Sequence, residues 1–355
     1  MRACARAPVR VDPAGGGTDA PPYCIDHGGA VVNFAVQRHV FASAQRLPPG
    51  TGIVIYAADL DAGAISPCVS DLTGQPHLEF LKAFVMRMVP ENDSLLLVTE
   101  SDVPPGSGLG GSGALGVAIV AAIDRAYGRA RSSEETAALA NDIERNDLGY
   151  PGGDQDSYGA AFGDINLLQY RPGGGMNRRR LSITRDTQRA LEFRSLLIYS
   201  GIAHASASIH EDIKRTYAEE NSSTLQALQM LHQQADSMAE ALEAGDLSEY
   251  AATLNESCRQ LYRIHESCNS VEHRRYSQAL ADLILGAKTC GAGGGGFLLV
   301  FTKPGRRQEC IRRVEGMGGL VWPVTIDPCG VTSWLERPLD IDEIQRVRQA
   351  IEARQ

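Results

Sequence analysis

The stretch Pro104-Pro105-Gly106-Ser107-Gly108-Leu109-Gly110-Gly111-Ser112-Gly113-Ala114 limits what this chain can fold into more than any other. An apolar run over 95–98 precedes it, and an uninterrupted helix-forming segment over 115–126 follows. A glycine-rich turn that feeds a helix start leaves several backbone N–H groups unpaired. With the positive end of the helix dipole, those donors make a ready site for phosphate. Five glycines within 106–113 carry a backbone entropy cost that makes sense only if the chain must approach something closely.

Gly106, Gly108 and Gly111 spell G-x-G-x-x-G, the dinucleotide fingerprint, but its context is missing. Val103-Pro104-Pro105 separates strand from loop, and no strand ending in a ribose-binding acid follows about twenty residues on. No lysine follows the glycines as a Walker A loop requires, and the protein-kinase motif set is absent. A Rossmann-type oxidoreductase is therefore disfavoured.

A chain of 355 residues suffices for two domains, each burying its own core. Its net charge of -9 disfavours nucleic acid and anionic membranes as partners. No apolar run approaches the roughly 20 residues that span a bilayer, and the N-terminus lacks the apolar core of a signal peptide. The eight cysteines include no C-x-x-C pair and read as reduced thiols. These features predict a cytoplasmic protein, monomer or homodimer, that acts on a small molecule.

Two further glycine-rich loops stand out. A strand over 5–11 runs into Asp12-Pro13-Ala14-Gly15-Gly16-Gly17-Thr18-Asp19, a bare-backbone turn with an acid at its end. Gly286-Ala287-Lys288-Thr289-Cys290-Gly291-Ala292-Gly293-Gly294-Gly295-Gly296 precedes a strand over 297–301 and would let two domains approach without side-chain collision. Between them, Gly152-Gly153-Asp154-Gln155-Asp156 sets two acids within three residues on a loop, a setting for a carboxylate held in a cleft. Ser132-Ser133-Glu134-Glu135 reads as a capping box for a helix with Glu144 near its end. Arg178-Arg179-Arg180 follows a glycine run at an expected hinge or β-turn; a solvated face and a phosphate contact both fit it. A strand over 320–326 and a helix over 341–354 are expected to complete the second domain.

In this order the motifs closely resemble those of the GHMP kinases. Arg6-Ala7-Pro8-Val9-Arg10-Val11-Asp12 with Gly16-Gly17-Thr18-Asp19 is similar to the first family motif, the 104–112 loop to the second, and 286–296 to the third. The form of the first motif, with Gly153-Asp154-Gln155-Asp156 and Ala160-Ala161-Phe162-Gly163, resembles the branch holding D-glycero-D-manno-heptose 7-phosphate kinases and bacterial L-fucokinases.

The resemblance implies an α+β, two-domain GHMP kinase fold. Residues 1–185 would form an ATP-binding domain like ribosomal protein S5 domain 2, and 186–355 a ferredoxin-like domain. It implies ATP on Pro105, Gly106, Ser107, Gly108, Leu109, Gly110, Gly111 and Ser112, with Mg²⁺ on Ser112 and Glu144. Asp156 would take or orient the proton of the attacking hydroxyl and Arg10 would pair with it, since alignment and charge supply most of the rate in phosphoryl transfer. Gly16, Gly17, Thr18, Asp19, His204, Gly293 and Gly294 would bind the sugar. The implied reaction is ATP-dependent phosphorylation of the anomeric hydroxyl of a sugar or sugar phosphate, best matched by a heptose 7-phosphate. His204 stands where an arginine suited to a distal phosphate is expected, which leaves L-fucose or another long-chain sugar open. Ser112, Glu144 and Asp156 together argue against a protein that binds sugar without turnover.

Overall fold

The structure, a computed structural model, describes all residues except 73–77, 204–205, 220–221 and 355, and omits the side chains of 206 and 207. The first half of the chain runs β1 (Arg2–Ala14), α1 (Tyr23–His27), β2 (Gly29–Arg46), β3 (Ile53–Ala57), β4 (Ala62–Ser66), α2 (Glu79–Met88) and β5 (Leu95–Ser101). It continues through α3 (Gly111–Ala126), α4 (Ser133–Asp142), α5 (Gln155–Phe162), β6 (Ile165–Tyr170) and β7 (Met176–Arg180). The second half opens with α6 (Arg185–Arg194), β8 (Ser195–Tyr199), α7 (Ser206–Ala218), α8 (Ser222–Ala244), α9 (Leu247–Ile264) and α10 (Val271–Ala279). It closes with β9 (Ile284–Thr289), β10 (Phe297–Thr302), α11 (Arg307–Gly316), β11 (Leu320–Pro323), β12 (Thr332–Glu336) and α12 (Ile341–Glu352).

The long antiparallel pair β1 and β2 is the spine of the first sheet, whose order is β12-β1-β2-β5-β3-β4. β2 is 18 residues long, so its first half also bonds β6 and its second half β5. Against this sheet lies α3, whose Ala114, Val117, Ala118, Ile119, Val120 and Ile123 are all fully buried. A helix that is apolar nearly all round belongs in the interior, and α3 is covered in turn by α2, α4 and α5.

The second sheet is antiparallel in the order β11-β8-β10-β9. Successive residues of a strand face opposite sides. Leu196 and Ile198 of β8 accordingly pack with Tyr276 of α10 and Cys310 of α11, while Leu197 faces the larger core shared with the first sheet.

The end of the chain departs from expectation. β11 joins the second sheet, but β12 pairs with β1, Arg2 opposite Glu336 through Arg6 opposite Thr332. α12 lays Ile344, Val347 and Ile351 over Leu47, Val54 and Leu96 of the first sheet. The closing helix therefore completes the first sheet and not the second. The physical reason is that β1 would otherwise present an unpaired edge. The arginine run lies on β7 with Arg179 and Arg180 exposed, yet each side chain has a partner: Arg178 donates to Asn166 at 2.8 Å and stacks on Phe162, Arg179 pairs with Glu243, and Arg180 with Asp164.

Candidate active site

Arg10, near the middle of β1, is buried, and its guanidinium joins two segments. Nε donates to Asp156 Oδ1 at 2.8 Å, and another guanidinium nitrogen donates to the Gly108 carbonyl at 2.6 Å. Its backbone N–H donates to Leu109 O at 2.9 Å. Burial works against the charge of Arg10, but Asp156 and then Asp12 outweigh it and raise its pKa. A single cation thus fixes a carboxylate against the phosphate loop.

Asp156 stands in the first turn of α5 and faces the start of α3. A Cβ on Gly113 would come within 2.6 Å of Asp156 Cβ, and one on Gly110, at φ +72°, within 3.0 Å of its carboxyl carbon. Only glycine lets the carboxylate come this close. No side chain caps α3, and Gly110 is left-handed at its N-cap. The N–H groups of the first turn have no intrahelical partners, and Gly110, Gly111 and Ser112 line a cavity of about 460 Å³.

The chain leaves α4 through a π-turn, Ile143–Asp147, a feature frequent at functional sites. That turn brings Glu144 to the cavity beside Ser112, whose side chain opposes the rise in the Glu144 pKa. Burial, and then the charge of Asp156, push the Glu144 carboxyl up to about 7. Across the cavity Asp19 is buried and accepts the Gln155 and Gly17 N–H groups, each at 3.2 Å. Burial and the charge of Asp156 raise its pKa as well. Asp154 pairs with Arg145, and burial pushes its carboxyl up to about 6.

Arg10, Gly16, Gly17, Asp19, Glu144 and Asp156 line the cavity, with Pro105, Gly106, Ser107 and Gly108 of the loop beside the helix start. Val40, Leu60, Val103 and Leu115 add apolar surface to its lining. Leu109 is different: its side chain is fully buried in the main core, and it meets the site through its backbone. Thr18 is also fully buried, and its hydroxyl donates to the Gly15 carbonyl at 2.8 Å, fastening the turn. Gly293 and Gly294 pack on the Cys268 carbonyl, so Gly291 and Ala292 are the lining residues of the third loop.

His204 lies outside the described residues. His210, further along α7, lines both this cavity and an adjoining one of about 240 Å³, and burial lowers its pKa. His210, Ile213, Lys214 and Tyr217 fall at i, i+3, i+4 and i+7 on α7, which was the one sequence sign of a shared face. Beneath the site, Lys288 and Asp12 form a buried ion pair at 3.2 Å, and Asp12 also accepts the Gly291 N–H at 2.8 Å.

A glycine loop capping a buried helix, with an Arg-held aspartate across from it in an α+β frame of two sheets, defines a phosphotransferase of the GHMP type. The GHMP kinases N terminal domain matches residues 78–164 and the GHMP kinases C terminal domain residues 238–318. The chain belongs to the GHMP kinase family and is a kinase that uses an alcohol group as acceptor.

Among its relatives is the D-glycero-alpha-D-manno-heptose 7-phosphate kinase of Campylobacter jejuni, 31% identical over 93% of this chain and 98% of that one. The L-fucokinase/L-fucose-1-P guanylyltransferase of Bacteroides fragilis is 26% identical over 87% of this chain but only 35% of that protein. The crystal structure of a D-glycero-D-manno-heptose 1-phosphate kinase from Bacteroides thetaiotaomicron superposes with a TM-score of 0.78 at 26% identity, covering 95% of this chain and all of that one. A galactokinase from Lactococcus lactis, 15% identical with a TM-score of 0.73, shares the fold.

Proposed function

We propose that the protein transfers the γ-phosphoryl group of ATP to the anomeric hydroxyl of a sugar phosphate, with a D-glycero-D-manno-heptose 7-phosphate as the favoured substrate, in the cytoplasm. The observation that carries the reading is the position of Asp156: held by Arg10, beside the open start of α3, and in one cavity with Asp19. A hydroxyl bound between Asp19 and Asp156 is oriented by carboxylate acceptors and faces phosphates on the helix N-terminus. Arg10, by bonding both Asp156 and the Gly108 carbonyl, holds acceptor and donor groups in register.

The donor set fits Mg²⁺. Ser112 and Glu144 offer hard oxygens, and the raised Glu144 pKa marks a carboxylate in need of a cation. Among the described residues no group of three His, Cys, Asp or Glu could hold a metal alone, in keeping with an ion that takes one or two protein ligands plus substrate phosphates. When bound, Mg²⁺ neutralises charge on the β and γ phosphates.

The adjoining cavity favours a phosphorylated over a free sugar. Its charged lining residues are Lys214 and Arg145, the latter paired with Asp154, and no carboxylate is among the described residues that line it. An anionic tail extending past His210 would meet positive charge there. The test is ATP consumption with Mg²⁺ against heptose 7-phosphate, free heptose and L-fucose. Heptose 7-phosphate should give the highest kcat/KM, and Asp156→Asn should bind ATP while losing at least ~10²-fold in turnover. Lys214→Met should raise KM for the phosphorylated sugar about tenfold, as loss of ~1.4 kcal/mol predicts, and leave KM for ATP unchanged. Turnover of free heptose above that of its 7-phosphate would overturn the substrate assignment.

A further inference from the structure

A second histidine, His273, lines neither cavity and is fully buried. His273 lies on α10 with its ring Nε2 3.1 Å from the Gly296 carbonyl and Nδ1 2.9 Å from the Thr289 hydroxyl. Tyr262 places its own hydroxyl 2.6 Å from that of Thr289. For a neutral ring the protons can be assigned in only one way that keeps every bond. A carbonyl only accepts, so Nε2 carries the hydrogen. Burial pushes the His273 pKa down to about 4, so the ring is neutral and Nδ1 accepts from Thr289. Thr289 then accepts from Tyr262.

Gly296 occupies a junction. Its carbonyl also accepts the Ser200 N–H at 2.9 Å, so both lone pairs are engaged, and its own N–H donates to Ile202 O at 2.9 Å. The next residue, Phe297, donates its N–H to the Ser107 carbonyl of the phosphate loop at 2.9 Å. Contact between the two loops is direct, since a Cβ on Gly296 would lie 2.3 Å from Ser107 O. Any shift of Gly296 is therefore passed to Ser107, and from there to Gly108, whose carbonyl Arg10 holds.

We infer that His273 is a positioning residue for the phosphate loop: through the Gly296 carbonyl it fixes the third glycine loop against Ser107. The Nε2–H of His273 is the working group, and Thr289 and Tyr262 hold the tautomer that supplies it. Tautomer control of this kind is the ordinary use of a hydrogen bond at the other ring nitrogen.

Two substitutions separate the ring nitrogens. Gln can reproduce the Nε2–H donor, whereas Asn can reproduce only the Nδ1 acceptor. His273→Asn should weaken binding of a non-hydrolysable ATP analogue at least tenfold, speed amide exchange over 106–113, and leave sugar affinity unchanged. His273→Gln should restore analogue affinity to within threefold of wild type. Wild-type affinity and exchange in His273→Asn would overturn the inference, as would a Gln variant as impaired as the Asn one. If His273→Asn does not fold, Thr289→Val reads the same relay from its other end. It removes the donor to Nδ1 and should weaken the analogue about threefold, and no change would count against the relay. A wild-type protein that binds the analogue but phosphorylates no sugar would overturn the proposed reaction alone and leave these readouts intact.

Discussion

Glu144 is the residue whose chemistry the fold alters most usefully. Its carboxyl is raised from 4.5 to about 7 by burial and by the charge of Asp156. Between those values the folded state holds a proton that the unfolded state has released. The contribution of Glu144 to the stability of the ligand-free protein therefore falls as pH rises from about 4.5 toward 7. Glu144→Gln removes this dependence. The variant should melt above wild type at pH 8, by on the order of 1 kcal/mol, with the gap closing toward pH 5, while Mg²⁺-dependent activity is lost. Parallel melting curves for the two proteins across that range would refute the sign. That Arg10, Ser112 and Asp156 line one cavity was legible in the sequence because each sits inside a local motif, whereas Glu144 was named through the family resemblance alone. His210 and His273 were not legible. The groups they meet, the charge of Asp19 and the Gly296 carbonyl, come from other segments, and beyond the helical spacing around His210 nothing beside them in the chain marks them.

Among the elements, regular strands and helices follow local signals closely. The capping box at Ser132 and Glu135 starts α4 where its residues say it should, and α3 begins at its glycine pair. Two features escaped because no local signal encodes them. The π-turn at Ile143–Asp147 inserts extra backbone in what reads as continuous helix, and β12 pairs with residues at the opposite end of the chain. The return of α12 can be tested alone. Ile351 is buried, and a Cβ on Gly63 would lie 2.3 Å from it, so the side chain fills its seat. Ile351→Ala should cost ~2–4 kcal/mol in chemical denaturation. Because α12 does not line the cavity, KM for ATP should stay within twofold of wild type, which steady-state kinetics on the folded variant would check.

At the scale of the whole molecule, residues of three glycine loops from two sheets line one cavity. The first sheet supplies Arg10 and Asp12, and the second supplies Lys288 and the loop that follows it. Asp12 accepts from both Lys288 and the Gly291 N–H, so one buried carboxylate ties the third loop to the first sheet within the core that the two sheets share. An ion pair this deeply buried adds little net stability over apolar packing, but breaking it leaves an uncompensated charge. Lys288→Met should therefore cost ~3–5 kcal/mol, far more than loss of an exposed lysine. Lys288→Met with Asp12→Asn removes the orphaned charge and should recover part of that loss. The double variant should nonetheless bind ATP poorly, because the Gly291 N–H then meets a neutral amide oxygen and the third loop is held less firmly. Denaturation midpoints measured beside ATP affinity would separate the two effects. Recovery of both in the double variant would show that the pair acts through its charge balance alone, and would remove it from the positioning of the site.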